Sequence, residues 1–505
     1  MTELIYNTEL GIAVAGSVDS GKSTFVGVLT TGKLDDGDGS ARQDVAKHPH
    51  EKASRKTSDI SNRTMLTPNG NGVTLFDLCG HEKYFKTTTY GISGHFPDYS
   101  FLIVGANRGI LPMTKQHVTL LLSLNVPIII IVTRYDITPQ QTYNETIKHI
   151  INYCKNTIKM QANIVNNPYD STHEIYNESM IKIIEDMYSS NRQCYIPVVT
   201  VSNKTGYFID FINKFIEKMK PRNPWNNFEV DSEKTIEERC TNRIIKKFML
   251  NMDKKFFQNP TNNTEHMFFV DTVYNPNGIG IVLAGINRGG RINVGDIMYL
   301  GPFGKEFKQI KVKSMNNYCQ QNIFSAEDHQ RITIAISTND KEINRKTVRK
   351  GMILLGSKDS IKNNLCWRFN AAITIFSHSA TLKNNYTPSL QIGNIRQSGR
   401  MTIDPILNNN NDHIKLKEFG YVTFKFKQRP EYVESFQTFV FRSGCVHGVG
   451  IILDVVAISQ DNDAKPDPVK MRNHRKLNRN DRNDTSEKND RHQNDRHPTK
   501  INNFK

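Results

Sequence analysis

Residues 16–24, GSVDSGKST, combine the residue types and the spacing that bind phosphate groups. They follow a short apolar run at residues 11–15 and fit the pattern G-x-x-x-x-G-K-[ST]. In this pattern glycines let backbone N–H groups surround the α- and β-phosphates, and the positive end of the next helix faces the anion. Lys22 would bridge the β- and γ-phosphates, and the Ser23 hydroxyl would bind Mg²⁺. The stretch therefore predicts a nucleoside triphosphate site.

A second motif, D-x-x-G, stands at Asp77 to Gly80, where the apolar run VTLFDL ends. An acid at such a strand end can hold the hydration shell of Mg²⁺, while the Gly80 N–H can sense a γ-phosphate and release the next segment after hydrolysis. His81 follows directly, where an imidazole could orient the attacking water. A lone histidine is often structural or solvated, but this position favours a catalytic role.

Two further segments are candidates for recognising the base of the nucleotide. The run IIIIV leads into Thr133, Arg134, Tyr135 and Asp136. The Asp136 carboxylate could accept two N–H donors of guanine, a pattern that adenine does not offer. The more usual motif is N-K-x-D, so Thr133 and Arg134 depart from it, although Arg134 can lie against the base. The triplet at residues 202–204 follows the run PVVTV and would complete the contact with the base.

The elements that must position these residues alternate between short apolar strands and helical stretches. We expect strands at residues 11–15, 73–77, 101–105, 128–133 and 197–201. This order is typical of an α/β domain with a mostly parallel sheet, whose ligands bind at the carboxyl ends of the strands. The sequence therefore predicts an α/β P-loop domain over residues 1–220, with the motifs at one edge of its sheet.

The rest of the chain has a different texture. Apolar residues recur every fourth position between 236 and 252, which predicts a helix in a linker at 221–263, and we expect that helix to be solvated. Short strands separated by Gly and Asn turns favour two antiparallel β-barrels, at 264–362 and 363–458. Residues 459–505 contain almost no apolar residues and more Lys and Arg than Asp and Glu, so we expect a disordered, basic tail.

Composition narrows the classes of protein. The 505 residues carry a formal net charge of +16, which favours a polyanionic partner such as RNA. The seven cysteines are widely spaced, which argues against a disulfide framework or a zinc site. Neither a secretory signal nor an apolar run long enough for a bilayer is visible. We expect a cytoplasmic protein that does not associate with membranes.

Taken together, the motifs resemble those of the translational GTPases, the class of elongation factor Tu and elongation factor 1-alpha. LDDGDGSARQ at 34–43, HEKASRKTSDIS at 50–61, GHEKYFKTTTYGISGHFPDY at 80–99 and GNIRQS at 393–398 are similar to segments of the GTP-binding protein 1 and 2 group. A threonine that opens the guanine motif, here Thr133, is also a trait of that group. The resemblance spans residues 8–458.

The resemblance implies GTP and GDP as ligands, Mg²⁺ as cofactor, and a ribosome, a tRNA or another RNA as partner of a monomer. It makes Thr57 the switch threonine that binds Mg²⁺, with Ser23 and Asp77, and His81 the catalytic histidine. It also makes Asp19 the acid of the phosphate-binding loop. The predicted nucleotide-binding residues are Gly16, Ser17, Val18, Asp19, Ser20, Gly21, Lys22, Ser23, Thr24, Asp77, Gly80, Thr133, Arg134, Asp136, Ser202, Asn203 and Lys204.

Three functions agree with these features. The first is an elongation-factor-like GTPase that a ribosome or another RNA-rich partner stimulates. The second is a GTP-dependent RNA-surveillance or adaptor factor in which hydrolysis times release. The third is a metabolic P-loop GTPase, such as one used in sulfate activation, and the segments similar to the GTP-binding protein 1 and 2 group count against it.

Overall fold

The apolar runs that precede the phosphate and guanine motifs lie side by side in a twisted parallel sheet. The computed structural model describes residues 9–45, 57, 59–169, 195–221, 245–246, 248–249, 266–317, 320–377, 381–408, 410–416, 418–443 and 446–461. Within these ranges the sheet has seven strands, in the order β2-β3-β1-β4-β5-β7-β6, and β2 alone runs antiparallel to its neighbour. The predicted α/β domain is confirmed.

The strands of this sheet are β1 (Glu9–Gly16), β2 (Ser61–Leu66), β3 (Gly72–Asp77), β4 (Tyr99–Gly105), β5 (Ile128–Thr133), β6 (Gln161–Ile164) and β7 (Tyr195–Thr200). Its helices are α1 (Lys22–Thr31), α2 (Ser40–Gln43), α3 (Phe85–His95), α4 (Pro112–Ser123), α5 (Gln140–Tyr153) and α6 (Ile209–Lys218). The predicted strands correspond to β1, β3, β4, β5 and β7. The predicted strands do not include β2 and β6, whose side chains are mostly exposed or partly exposed and give a weak apolar signal.

Helices cover both faces of the sheet, which explains the unbroken apolar runs. Successive side chains of a strand point to opposite faces, so Ile12 and Val14 enter one core while Ala13 and Ala15 enter the other. Every residue of β5 is buried. A sheet with both faces covered needs strands of this kind.

The first barrel is built from strands within residues 267–355. Its strands and short bridges are β8 (Met267–Tyr274), β9 (Val282–Asn287), β10 (Ile292–Asn293), β11 (Ile297–Phe303), β12 (Glu306–Asn317), β13 (Asn322–Ile323), β14 (Ser325–Ala326), β15 (Arg331–Ser337) and β16 (Ile353–Leu355). In the part of the chain that the structure describes, six of them close a ring, because β11 pairs with both β16 and β12. Closure leaves these strands without a free edge.

The second barrel closes in the same way after α7 (Asp359–Asn364). Its strands are β17 (Leu365–Ser377), β18 (Leu382–Lys383), β19 (Ser389–Ile392), β20 (Ile395–Ile403), β21 (His413–Ile414), β22 (Phe419–Phe426), β23 (Glu431–Tyr432), β24 (Thr438–Ser443) and β25 (Val446–Ala457). Among the described residues, six strands form the ring, which the β17–β22 pairing closes. The two predicted barrels are confirmed, while the domain boundaries stay predictions.

Helix α3 joins the α/β domain to both barrels. Tyr90 donates a hydrogen bond to Asp271 of the first barrel at 2.8 Å, and His95 Nδ1 lies 3.2 Å from the same carboxylate. At its other end the Phe85 ring lies 5.3 Å from the His447 ring and 5.3 Å from the Arg442 guanidinium carbon of the second barrel. Any movement of α3 would therefore disturb contacts with both barrels.

The linker helix is not solvated where the structure describes it. Residues 245–246 and 248–249 are helical, and Ile245, Phe248 and Met249 are buried against the second barrel. The rings of Phe248 and Phe419 lie 4.9 Å apart. The apolar face follows i, i+3 and i+4 spacing rather than the expected every-fourth spacing, because 3.6 residues complete a turn. The remainder of the predicted linker helix lies outside the described residues.

The structure describes residues 459–461, at the start of the predicted tail. Ile458–Gln460 form a 3₁₀ turn, and Asp461 is buried and forms an ion pair with Arg368. A lone carboxylate that finds a cationic partner can be buried within an otherwise polar stretch. The rest of the predicted disordered tail, residues 462–505 of 459–505, lies outside the described residues, and its start at residue 459 stays a prediction. No helix in the described ranges is long and apolar enough to cross a membrane.

Replacing Phe248 tests the linker contact. Phe248→Ala should lower the unfolding free energy by about 3 to 5 kcal/mol, because the fully buried ring leaves a cavity on the second barrel. Differential scanning calorimetry measures the loss as a lower Tm. Lys246→Ala, on the same turn but not buried, is the matched control and should leave the Tm unchanged. Equal Tm values for Phe248→Ala and the wild type would contradict the packing.

Candidate nucleotide-binding site

The phosphate-binding loop turns sharply between β1 and α1. Gly16 has a φ of 143°, and a Cβ atom there would lie 2.4 Å from the Ile103 carbonyl oxygen, so a side chain would collide with β4. Gly21 has a φ of 91° and directly precedes α1, whose N-terminal N–H groups face the loop. Lys22 is buried, and its Nζ donates to the Ser17 carbonyl oxygen at 2.7 Å. The loop is shaped to surround an anion.

Three oxygen-bearing side chains meet beside this loop. Ser23 Oγ donates to Asp77 Oδ2 at 2.6 Å and lies 3.1 Å from Thr57 Oγ1. They come from α1, from the end of β3 and from the segment before β2, so the fold brings together residues that are up to 54 positions apart. Hydroxyl and carboxylate oxygens are the donors that Mg²⁺ prefers. The residues present therefore fit a magnesium ion.

Gly80 and His81 form the opposite side of the phosphate end. A Cβ atom at Gly80 would lie 2.4 Å from Lys22 Nζ and 2.8 Å from the Ser17 carbonyl oxygen, so only glycine lets this backbone approach the loop. His81 accepts a hydrogen bond on Nδ1 from the Lys83 N–H at 3.1 Å. This bond leaves Nε2 to carry the proton in the neutral ring and fixes the direction in which it points.

The guanine segment is tied to the phosphate-binding loop by Thr133. Its hydroxyl donates to the Ser20 carbonyl oxygen at 2.7 Å, so the threonine makes a loop-to-loop contact through its side chain. Arg134 has a φ of 63°, which turns the chain into the 3₁₀ segment Tyr135–Ile137. Asp136 then lines the cleft. Thr133 thus stabilises the phosphate-binding loop from behind and does not line the cleft.

The loop after β7 forms the neighbouring wall. Ser202 Oγ accepts hydrogen bonds from the N–H groups of Lys204 at 3.3 Å and Thr205 at 3.1 Å, which stabilises the turn. Tyr135 and Tyr207 pack edge to face at 5.0 Å and hold this loop against the guanine segment. Asn203 Oδ1 is buried and forms no hydrogen bond to another described residue, so it is a candidate acceptor for a ligand.

Two adjoining cavities run along the carboxyl edge of the sheet. The phosphate cavity is lined by Val18, Asp19, Gly21, Lys22, Ser23, Thr24, Arg42, Thr57, Gly80, His81 and Arg134. The nucleoside cavity is lined by Asp19, Gly21, Thr24, Asp35, Gly37, Asp38, Gly39, Arg42, Gln43, Arg134, Asp136, Ile137, Asn203 and Lys204. The buried predicted residues Gly16, Ser17, Ser20, Asp77, Thr133 and Ser202 lie behind these walls.

The motifs did not reveal two parts of the site. His117, on α4, is fully buried and accepts the Gly16 N–H on Nδ1 at 3.0 Å. The segment LDDGDGSARQ lines the nucleoside cavity through residues that include Asp35, Asp38 and Arg42. A histidine inside an amphipathic helix carries no sequence signal of this contact, because it arises only when α4 packs on the sheet. The sequence of this segment shows its resemblance to the family but not its position in the cleft.

Known proteins are similar to this chain in sequence and in fold. Residues 8–249 match the family model of the elongation factor Tu GTP binding domain. GTP-binding protein 1 of Xenopus laevis is 30% identical over 497 aligned residues, which cover 93% of this chain and 67% of that protein. The chain belongs to the GTP-binding protein 1 and 2 group of translational GTPases. As a member of this family it is a GTP-binding switch that hydrolyses GTP to GDP and phosphate.

Other members and structures agree with this assignment. GTP-binding protein 2 of Mus musculus is 28% identical over 473 aligned residues, which cover 89% of this chain and 70% of that protein. The bacterial selenocysteine-specific elongation factor EF-Sec superposes with a TM-score of 0.58 at 18% identity, over 88% of this chain and 58% of that one. Elongation factor SelB of Methanococcus maripaludis, bound to the GTP analogue GppNHp, gives 0.57 at 17% identity, over 90% and 80%. These two likenesses show the fold.

Because His117 is buried as a neutral hydrogen-bond acceptor, stability should depend on its protonation. Burial lowers the pKa of His117 to about 3, and the charge of Lys22 adds to the effect. Between that value and the ordinary 6.5, the unfolded chain binds a proton that the native ring does not, so stability is lost as the pH falls. The loss approaches about 1.4 kcal/mol per pH unit below pH 6.

The variant His117→Asn keeps an acceptor but cannot titrate, so its Tm should fall less steeply than that of the wild type between pH 7 and pH 5. Thermal unfolding at several pH values measures the two slopes. His149→Asn, which removes an exposed histidine of α5, should keep the wild-type slope. A His117→Asn slope equal to the wild-type slope would show that the buried ring does not control this dependence.

Proposed function

We propose that this GTPase is an elongation-factor-like switch that acts on the ribosome or on another RNA-rich partner. It works as a monomer in the cytoplasm, binds tRNA or another RNA, and uses Mg²⁺ with GTP. The observation that best supports an RNA-rich partner is the position of Lys86. This lysine stands on the first turn of α3, five residues after His81, at the junction with the second barrel.

The nucleotide would lie along the two cavities. Lys22 would bind the β- and γ-phosphates, and Ser23, Thr57 and Asp77 would hold Mg²⁺, which supplies charge neutralisation when bound. At the other end, Asp136 would accept the guanine N–H donors, with Arg134 against the ring and Asn203 and Lys204 beside it. The distribution of the lining residues between the two cavities supports this orientation of the nucleotide. Thr57 and His81 line only the phosphate cavity, and Asp136 lines only the nucleoside cavity.

His81 is the residue we propose as catalytic. It lines the phosphate cavity with Thr57 and Gly80, and the Lys83 N–H orients its ring. An imidazole there could orient water for attack on the γ-phosphate. Because the ring is partly exposed and stands just before α3, a partner that binds α3 could adjust its position.

A group of cations supports a nucleic-acid partner at this junction. Burial lowers the pKa of the Lys86 amine, and the charges of Arg396 and Arg442 lower it further. The Arg442 guanidinium carbon lies 5.3 Å from the ring of Phe85, the residue before Lys86. Arg396 belongs to the GNIRQS segment and is exposed on β20. Closely spaced cations favour phosphate groups, whose binding releases condensed counterions. A phosphate backbone bound here would contact both α3 and the second barrel.

Asp136→Asn tests the guanine assignment. We expect weaker GTP binding by about 2 to 4 kcal/mol, because the carboxylate that accepts two N–H groups is lost. Xanthosine triphosphate should bind better than GTP, because its C2 carbonyl can accept from the new amide. Isothermal titration with both nucleotides measures the change. Unaltered GTP affinity would exclude Asp136 from base recognition.

His81→Ala tests the catalytic role and the partner together. Nucleotide affinity should stay within about twofold of the wild type, whereas hydrolysis stimulated by ribosomes should fall by about 10²- to 10⁴-fold. The unstimulated rate should change far less, because the ring is not yet aligned. Phosphate release, with and without ribosomes, measures both rates, and Glu82→Ala is the matched neighbouring control.

The outcomes separate the possible partners. Stimulation of the wild type by ribosomes that His81→Ala loses supports the proposal. If ribosomes do not stimulate the wild type but an RNA-decay assembly does, the surveillance or adaptor function replaces the elongation-factor-like one. A His81→Ala variant that responds to ribosomes like the wild type would refute the catalytic assignment.

A further inference from the structure

Arg42 lies where the two cavities meet. The residues that line both cavities are Asp19, Gly21, Thr24, Arg42 and Arg134. A nucleotide that extends from the base end to the γ-phosphate end must place its ribose and α-phosphate at this boundary. Arg42 is partly buried there, on the short helix α2 of the LDDGDGSARQ segment.

Packing against the phosphate-binding helix fixes the position of α2. A Cβ atom at Gly27 of α1 would lie 2.0 Å from the Ala41 carbonyl oxygen, so α2 rests directly on the α1 backbone. Ala41 and Val45 are buried in the same core as β1. Because both sides of Arg42 along the chain are anchored, its backbone has little freedom to move.

Hydrogen bonds anchor the segment at its other end to the base-side wall. The Asp35 N–H donates to the Asn203 carbonyl oxygen at 2.9 Å, and Asp35 Oδ1 accepts from the Ala41 N–H at 3.1 Å. Asp36 Oδ1 accepts from the N–H groups of Asp38 at 2.8 Å and Ser40 at 3.2 Å. These bonds hold the segment between Asn203 and α1. A preorganised side chain loses less entropy when a ligand binds.

Arg42 and the phosphate-binding lysine, Lys22, both line the phosphate cavity. An anion stabilises two cations that line one cavity, and a guanidinium binds phosphate oxygens through two parallel hydrogen bonds. The environment therefore favours a phosphate group near Arg42.

We infer that Arg42 binds the α-phosphate and the adjoining β-phosphate oxygens of the guanine nucleotide, as a fourth element of the site beside the phosphate-binding, magnesium and guanine motifs. The inference rests on the proposed path of the nucleotide through the cleft. The groups of the γ-phosphate end, Thr57, Gly80 and His81, line the phosphate cavity alone. Arg42 thus contacts a part shared by GDP and GTP and acts as a binding residue, not as a transition-state arginine.

This assignment predicts that GDP and GTP lose the same amount of affinity when Arg42 is replaced. Arg42→Ala should weaken GDP and GTP by the same factor, about 10- to 100-fold, because a charge-assisted contact present in both complexes is removed. GMP should weaken as well, whereas guanosine, which has no phosphate, should bind as to the wild type. Arg42→Lys should recover part of the affinity.

The experiment uses the full chain and titrates GTP, GDP, GMP and guanosine in the presence of Mg²⁺. Lys33→Ala, which removes an exposed cation near the end of α1, is the control for net charge and should not alter any affinity. Calorimetric Tm values show that each variant is folded, and Arg42→Gln serves in place of Arg42→Ala if the latter unfolds. Wild-type GDP affinity in the Arg42 variants would overturn the inference, as would a loss confined to GTP.

The Asp136→Asn titration distinguishes this failure from a failure of the proposed nucleotide path. If Asp136→Asn prefers xanthosine triphosphate while Arg42→Ala binds GDP normally, the base lies where proposed and only the Arg42 assignment is wrong. If guanosine binding falls in Arg42→Ala, the residue acts on the nucleoside instead of the phosphate, and the assignment is also wrong.

Discussion

The site depends on the close approach of two loops, which the hydrogen bond between Ser23 and Asp77 holds together. β1 and β3 are neighbouring parallel strands, paired so that Val14 stands opposite Asp77. Both strands therefore end at the same edge, and the loops that follow them must share the space beyond it. The Ser23 hydroxyl and the Asp77 carboxylate meet there at 2.6 Å, and Gly80 lies against the Ser17 backbone. A side chain larger than hydrogen at Gly80 would separate the two loops.

This close approach also determines what the molecule can do as a switch. Asp77, Gly80 and His81 are followed within a few residues by α3, which contacts both barrels through Tyr90 and Phe85. A change at the phosphate end can thus reach the barrels through one rigid element. The same helix carries Lys86, next to Phe85, whose ring lies against Arg442 of the second barrel. Nucleotide state and an RNA-rich partner would act on the same helix from its two sides.

Buried polar groups hold the phosphate-binding loop from behind. His117 accepts the Gly16 N–H, and Thr133 donates to the Ser20 carbonyl oxygen, so α4 and β5 each satisfy a backbone group of the loop. An unsatisfied buried backbone group is costly, which is why these partners are specific in type as well as in position. The Thr133 hydroxyl connects the two loops although the segment departs from the usual guanine motif, and Asp136 still lines the nucleoside cavity.

The α/β domain, the two barrels and the motifs at 16–24, 77–81 and 133–136 could be predicted from the sequence, because they depend on local periodicity and short spacing. Roles could be predicted for Lys22, Ser23 and Asp136 for the same reason. The sequence could not show that Arg42 stands between the cavities, that His117 reaches the loop, or that Phe248 is buried. Each of these contacts joins segments far apart in the chain, and only the packing of α2 on α1, of α4 on the sheet and of the linker helix on the second barrel creates it.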